Sequence, residues 1–471
     1  DDLEAGRLTR ERALLLIESL YLLVNEYTPD GGAVSVMLGG RDASGHTVAN
    51  DLSTLSLEAL RRTRLVYPTV GVCWHEELPA ELTDLAIELI ASGIANPAFF
   101  GDEVIQAGLR TWGLPPAESH YYINSTCVEI TPCGSSGVWV ASPYFNTCAL
   151  LLEEIAERAD NPPEDFETFL QGYLDRLDRA ITDGVNHQNL LRQRRQAGGG
   201  KPLQSVFTLD CIERARDIDD GGARYNWVEC SFVGLANLAD SLYVLRHEVY
   251  DTGRLSLARL VQLLQDNFEH DPAELARIAA HPKYGQGNAE VDRFVQMVVQ
   301  FAVDRCTAHR MHPDDSPFVP GAFVWTMHER LGRQTGATPD GRRRGTPFAD
   351  GCGPAQGRER FGPTAAILST TSWDHSPMIG GLAFNMKFNA SLLRGTEGQA
   401  RLKDLVLTYL RRGGFETQVN VTDRDVLLRA RDNPHEYRDL VVRIGGYTDY
   451  FTRLSPEMQD EILLRTEYQS V

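Results

Sequence analysis

The chain has 471 residues, 42% of them hydrophobic and 24% charged, a composition that excludes intrinsic disorder, collagen-like repeats and low-complexity fibres. A formal net charge of -19 repels phosphate backbones and anionic lipid surfaces, so neither nucleic acid nor a membrane is the expected partner. No run approaches the ~20 apolar residues of a membrane span, and the acidic start Asp1-Asp2-Leu3-Glu4 is the reverse of a basic secretory signal, which makes the cytoplasm the expected location.

In chain order, apolar periodicity predicts an amphipathic helix over Arg10 to Glu26, then short strands at Val34 to Leu38 and Val66 to Cys73. Leu82, Leu85, Ala86, Leu89 and Ile90 predict a helix closed by Gly93. A helix-rich middle from about Leu150 to Arg310, with Leu235, Leu238, Ala239 and Leu242 on one helix, reads as packing around a core. Further strands are expected at Phe318 to Trp325, Leu382 to Phe388, Phe415 to Val421 and Leu440 to Ile444, with loops at Gly198 to Gly200 and Thr335 to Pro363. Thr396 with Gln399 reads as a capping box opening a helix through Leu402, Leu405, Val406 and Tyr409. Short strands alternating with helices indicate an α/β layer or barrel.

The eight cysteines, Cys73, Cys127, Cys133, Cys148, Cys211, Cys230, Cys306 and Cys352, include no Cys-x-x-Cys pair, so neither a zinc site nor a disulfide framework is indicated. Two loops carry the chemistry. In Asn124-Ser125-Thr126-Cys127-Val128-Glu129, a soft sulfur precedes a carboxylate by two residues, offering a nucleophile or hydrogen-atom donor beside a general base. Taken alone, such a cysteine is ordinarily a small buried residue. In Val442-Arg443-Ile444-Gly445-Gly446-Tyr447, the glycines after a strand ordinarily mark a turn needing positive φ.

Together with their surroundings these loops resemble a known family. Arg443-Ile444-Gly445-Gly446-Tyr447-Thr448-Asp449-Tyr450-Phe451 resembles the glycyl radical signature of the pyruvate formate-lyase-like enzymes, and Leu454, Gln459 to Ile462 and Arg465-Thr466 continue it. Gly39-Gly40 with Asn50, Leu52 and Ser53, the segment Tyr122 to Glu129, Gly221 to Asn226, Thr338 to Arg342, Asp350-Gly351, Gly362 to Ala365 and Asn385 to Phe388 resemble the family's other segments in the same order.

The resemblance implies a ten-stranded α/β barrel in which the cysteine and glycine loops meet, with residues 1–414 as barrel core (cysteine loop 120–140) and 415–471 as the glycyl radical domain. It also implies a family N-terminal region preceding this chain. Gly446 is the implied radical store: an unpaired electron at Cα is shared between the flanking nitrogen and carbonyl, and no side chain opposes planarity. Cys127 is the implied thiyl radical. Glu129 matches the base of members that eliminate a leaving group, so the expected activity is an anaerobic lyase of dehydratase type acting on a small hydroxylated molecule. The implied partner is a separate S-adenosylmethionine iron-sulfur activase; no metal or organic cofactor stays bound after activation, and homodimers are common in the family.

Other readings are radical decarboxylation of an organic acid, whose enzymes share Cys-x-Glu, and a catalytically silent fragment or subunit. Formate acetyltransferases resemble one another in two adjacent cysteines, absent here, and class III ribonucleotide reductases in a Cys-x-x-Cys zinc site, also absent. Thr126 stands where eliminating members have glycine. Val140-Ala141 follow Trp139 where several diol and amino-alcohol lyases have His-Asp, which disfavours glycerol, propanediol or choline. His75, His120 and His375 read as structural histidines, with His375 the first alternative as a substrate contact.

Overall fold

A computed structural model describes residues 2–29, 32–125 and 127–469. The first predicted helix forms over Arg10–Tyr27, with the Thr9 hydroxyl accepting from the Arg12 N–H as N-cap. The helix Ala80–Ala91 buries Leu82, Ala86, Leu89 and Ile90. It stops where Gly93 takes φ +84 and donates its N–H to the Ile90 carbonyl, the glycine exit that the spacing predicts.

Strands in chain order are β1 (Ser35–Gly39), β2 (Thr69–Trp74), β3 (Ala98–Gly101), β4 (Tyr122–Asn124), β5 (Ile130–Pro132), β6 (Tyr144–Asn146) and β7 (Val228–Val233). They continue with β8 (Arg310–Met311), β9 (Ser316–Gly321), β10 (Phe384–Phe388), β11 (Glu416–Val421), β12 (Val441–Arg443), β13 (Thr448–Tyr450) and β14 (Glu467–Tyr468). The chain divides into two compact units, residues 1–130 with 385–471, and residues 131–384.

In the first unit a six-stranded sheet runs β1-β2-β3-β11-β10-β14. β1, β2 and β3 are parallel and joined through helices, while β11 lies antiparallel to β3. These are the βαβ crossovers expected of an α/β chain. Every residue of β2 and β11 is buried, as strands covered on both faces must be. The β12–β13 hairpin belongs to the same unit.

The second unit is built on a four-stranded sheet ordered β6-β7-β9-β8. Its centre corrects the sequence reading, because the middle of the chain is not only helical packing. β7 is a fully buried strand. Glu229 and Ser231 interrupt its apolar pattern, and each has an internal partner: Trp227 Nε1 donates to Glu229 Oε1 at 2.7 Å, and the Ser231 hydroxyl donates to the Phe323 carbonyl. A second correction concerns the expected capping box. The helix Gly395–Arg411 has Arg394 at its N-cap without a side-chain cap, so Thr396 lies inside the first turn. Arg394 alone separates the helix from a 3-10 turn over Ala390–Leu393 that Asn389 caps, so the N-cap position falls on an arginine, whose side chain has no acceptor to offer.

Candidate active site

The glycine loop is the tip of the β12–β13 hairpin. Val441, Val442 and Arg443 pair with Tyr450, Asp449 and Thr448, and the Ile444 N–H closes the turn onto the Tyr447 carbonyl at 2.9 Å. Gly446 is buried and adopts φ +94, a conformation an L side chain resists.

β11 grips this tip. Side chains alternate along a strand, so Glu416, Gln418 and Asn420 share one face; all three are buried. Asn420 clasps the Arg443 backbone twice, accepting from its N–H at 2.8 Å and donating to its carbonyl at 3.0 Å. Gln418 Nε2 donates to Glu416 Oε2 at 3.1 Å. Because a carboxylate only accepts, this bond turns the amide so that its oxygen faces the hairpin. That oxygen accepts from the Gly446 N–H at 3.1 Å and from Arg443 Nε at 2.7 Å.

Arg443 is fully buried and donates through Nη2 to the Gly446 carbonyl at 3.1 Å. Burial lowers its pKa, while Glu416, with a carboxylate oxygen 3.9 Å from Nη2, and then Cys127 oppose that shift. From the other side Arg465, paired with Glu461 at 2.9 Å, donates to the Arg443 and Ile444 carbonyls at 3.2 and 2.9 Å.

The cysteine loop is pinned at its entry and folded on itself. Tyr122, which opens β4, donates its hydroxyl to Asp102 at 2.9 Å, and Arg41 holds the other Asp102 oxygen at 2.8 Å. Asn124 Nδ2 donates to the Cys127 carbonyl at 2.8 Å, and the Ser125 N–H to the Glu129 carbonyl at 2.7 Å. One Glu129 oxygen accepts from the N–H groups of Cys127 and Val128 at 3.2 and 3.1 Å. Cys127, Val128 and Glu129 are all buried. The carboxylate is thus fastened to the backbone of the residue that carries the sulfur, which puts a carboxylate and a thiol in one turn. Thr126 lies outside the described residues.

The predicted residues Gly446, Cys127 and Glu129 all fall in the first unit. Sequence reasoning missed Gln418 and Asn420, although polar residues at every second position of β11 are visible in the sequence, and it named Glu461 and Arg465 only as part of the glycyl radical signature, without a structural role. His75 is buried in the field of Asp102 and Arg41, and burial lowers its pKa. His120 is half-buried. His375 belongs to the second unit; its Nε2 sits 2.6 Å from the Thr370 carbonyl, and burial pushes its pKa down to about 4. Cys133 is half-buried, and no disulfide joins any of the eight cysteines. Trp139, beside Val140-Ala141, is covered by the Arg195 guanidinium 3.6 Å from its ring centre. Among the described residues no helix is long and apolar enough to cross a membrane.

Residues 1–332 match the pyruvate formate lyase-like family model, and residues 348–452 match the glycine radical model. The chain is 30% identical to the trans-4-hydroxy-L-proline dehydratase of Clostridioides difficile over 99% of its length and 62% of that protein's. It is 28% identical to the (2S)-3-sulfopropanediol dehydratase of Klebsiella oxytoca over 99% of its length and 60% of that protein's. Among solved structures it superposes on the glycerol-bound B12-independent glycerol dehydratase of Clostridium butyricum with a TM-score of 0.94 at 29% identity, covering 98% of this chain and 62% of that one. The chain thus spans roughly three fifths of the length of these relatives. With both models matched in order and Gly446 inside the second, the chain belongs to the pyruvate formate lyase-like family and carries its glycine radical domain.

Proposed function

We propose that the chain is the catalytic part of an anaerobic glycyl radical lyase of dehydratase type, with Gly446 as radical store, Cys127 as thiyl radical and Glu129 as base. The observation that carries this reading is the hold on Gly446, a buried glycine at φ +94 whose N–H is bound by Gln418 and whose carbonyl is bound by Arg443.

In this reading the Cys127 S–H gives a hydrogen atom to the Gly446 α-carbon, and the resulting sulfur radical takes one from a substrate C–H. Glu129 removes the proton of the hydroxyl on that carbon. The ketyl-type radical anion expels the neighbouring leaving group with its bonding pair, and the product radical recovers a hydrogen atom from the Cys127 S–H. Burial of both loops excludes water and stray hydrogen donors. The substrate is a small molecule with a leaving group next to a hydroxyl-bearing carbon, as the name of the (2S)-3-sulfopropanediol dehydratase suggests for that protein. Residues 415–471 act as the radical domain and 1–414 as the core that receives it. A separate S-adenosylmethionine iron-sulfur activase removes the Gly446 hydrogen, the working enzyme is a cytoplasmic homodimer, and no metal or organic cofactor takes part in turnover.

A second reading, radical decarboxylation of an organic acid, is favoured by 25% identity over the whole chain to the 4-hydroxyphenylacetate decarboxylase glycyl radical subunit of Clostridioides difficile. Electron paramagnetic resonance after anaerobic activation tests the radical assignment, and product analysis separates the readings: elimination releases water or another leaving group, decarboxylation releases carbon dioxide.

A further inference from the structure

The second unit holds a side-chain cluster with no part in the radical chemistry. Helix Leu235–Leu245 runs on into a π-helical turn over Arg246–Asp251, a widened turn that recurs at functional positions. His247 and Glu248 lie on that turn, and His281 is the C-cap of the helix Pro272–Ala280. One ligand atom from each of the three residues lies within 4.8 Å of the others.

The details resemble a coordination sphere more than a closed hydrogen-bond network. Glu248 is buried, and Arg277 Nη1 occupies its Oε2 at 2.6 Å, with Arg254 Nε at 3.8 Å. Oε1 is left to the two imidazoles, 2.6 Å from His281 Nε2 and 3.9 Å from His247 Nδ1. His247 Nδ1 is itself buried and has no hydrogen-bond partner. A purely structural cluster would be expected to satisfy that nitrogen. The Tyr243 ring lies nearly parallel to that of His247, at 13° with the ring centres 6.3 Å apart.

We propose that His247 Nδ1, Glu248 Oε1 and His281 Nε2 bind one divalent transition-metal ion of the zinc type. Two imidazole nitrogens and one carboxylate oxygen are a ligand set that this class of ion favours. Ligands about 2.0 to 2.2 Å from a tetrahedral ion stand about 3.3 Å apart. The Glu248–His281 contact therefore opens by about 0.7 Å and the Glu248–His247 gap closes by about 0.6 Å, the half-exposed His247 supplying the second movement. The ion replaces the proton shared by His281 and Glu248, Arg277 orients the carboxylate from outside, and water takes the fourth position. Two guanidinium groups on the Oε2 side weaken the pull on a dication, so micromolar rather than tighter affinity is expected. Such an ion would clamp the π-helical turn to the end of the Pro272–Ala280 helix.

The test titrates Co2+ into the chelator-treated, unactivated chain and follows the visible absorption of a low-coordinate ion, with Zn2+ as competitor. Saturation at one equivalent, reversal by Zn2+, and at least tenfold weaker binding in His247→Ala and His281→Ala support the site. His247 is partly exposed, so its variant is expected to keep the metal-free melting curve; a Zn2+-dependent rise in Tm in the parent chain that is absent from His247→Ala is the second readout. No saturable absorption, or absorption and Tm rise unchanged in both histidine variants, overturns the proposal.

Discussion

The side-chain oxygen of Gln418 accepts the backbone N–H of Gly446 at 3.1 Å while also accepting Arg443 Nε at 2.7 Å. One buried amide therefore fixes both the glycine and the cation that binds the glycine's carbonyl. Replacing it by leucine leaves a backbone donor and a charged donor buried without that acceptor, at a cost of roughly 3 kcal/mol or more. Gln418→Leu is expected to unfold at lower denaturant concentration and, under conditions where it remains folded, to accumulate less radical on activation. A variant with unchanged midpoint and full radical yield would show that this amide is dispensable.

Gly446→Ala separates the radical from the fold. At φ +94 a Cβ costs about 1 to 2 kcal/mol, a loss the chain can survive, while the stored radical is expected to disappear. The doublet that the one remaining α-hydrogen gives in electron paramagnetic resonance should be absent from the folded variant after anaerobic activation. A persistent doublet would falsify the assignment of Gly446 as radical store.

Sequence alone singled out the residues proposed for the chemistry better than those that hold them. Gly446, Cys127 and Glu129 sit in short contiguous motifs, because backbone radical storage and a Cys-x-Glu turn are local devices. Gln418 and Asn420 did not stand out, since their partners Gly446 and Arg443 lie 28 and 23 residues further on. Without that hairpin, Glu416-Thr417-Gln418-Val419-Asn420-Val421 reads as a half-solvated strand, whereas it is buried along its whole length. β7 escaped for a related reason: Glu229 and Ser231 find internal partners, so a buried strand carries polar residues that hide its apolar pattern. The α/β class itself was legible, because alternation of short strands with helices survives such local exceptions.

His375 gives the fold a pH dependence whose sign is fixed. Its folded pKa is about 4 against an ordinary 6.5, because burial opposes the charged ring. Below 6.5 the unfolded chain takes up a proton that the folded chain refuses. The neutral ring therefore contributes fully above pH 6.5, and that contribution fades as pH falls toward 4, with an upper bound of about 3 kcal/mol. His375→Gln, which carries no titrating ring, should show a flatter dependence of unfolding free energy between pH 6.5 and 4, measured by denaturant titration. Equal slopes for the two proteins over that range would mean that the histidine does not titrate on unfolding.

Glu129 and Cys127 are expected to fail at different steps. Cys127→Ser keeps Gly446 and the bonds of the radical loop, so activation should still give the doublet; an O–H is too strong for the stored radical to cleave, and turnover should fall below detection. Glu129→Gln keeps an oxygen able to accept from the Cys127 and Val128 N–H groups, so the loop should hold its shape while losing its base. Hydrogen atoms should then still pass between sulfur and substrate, read as deuterium incorporation at the substrate carbon in heavy water, while elimination drops by 10² to 10⁴, the usual worth of a general base. If the glutamine variant eliminates at the parent rate, the base lies elsewhere. If it loses exchange and elimination together with an intact doublet, the carboxylate acts on the sulfur's position rather than on the substrate hydroxyl.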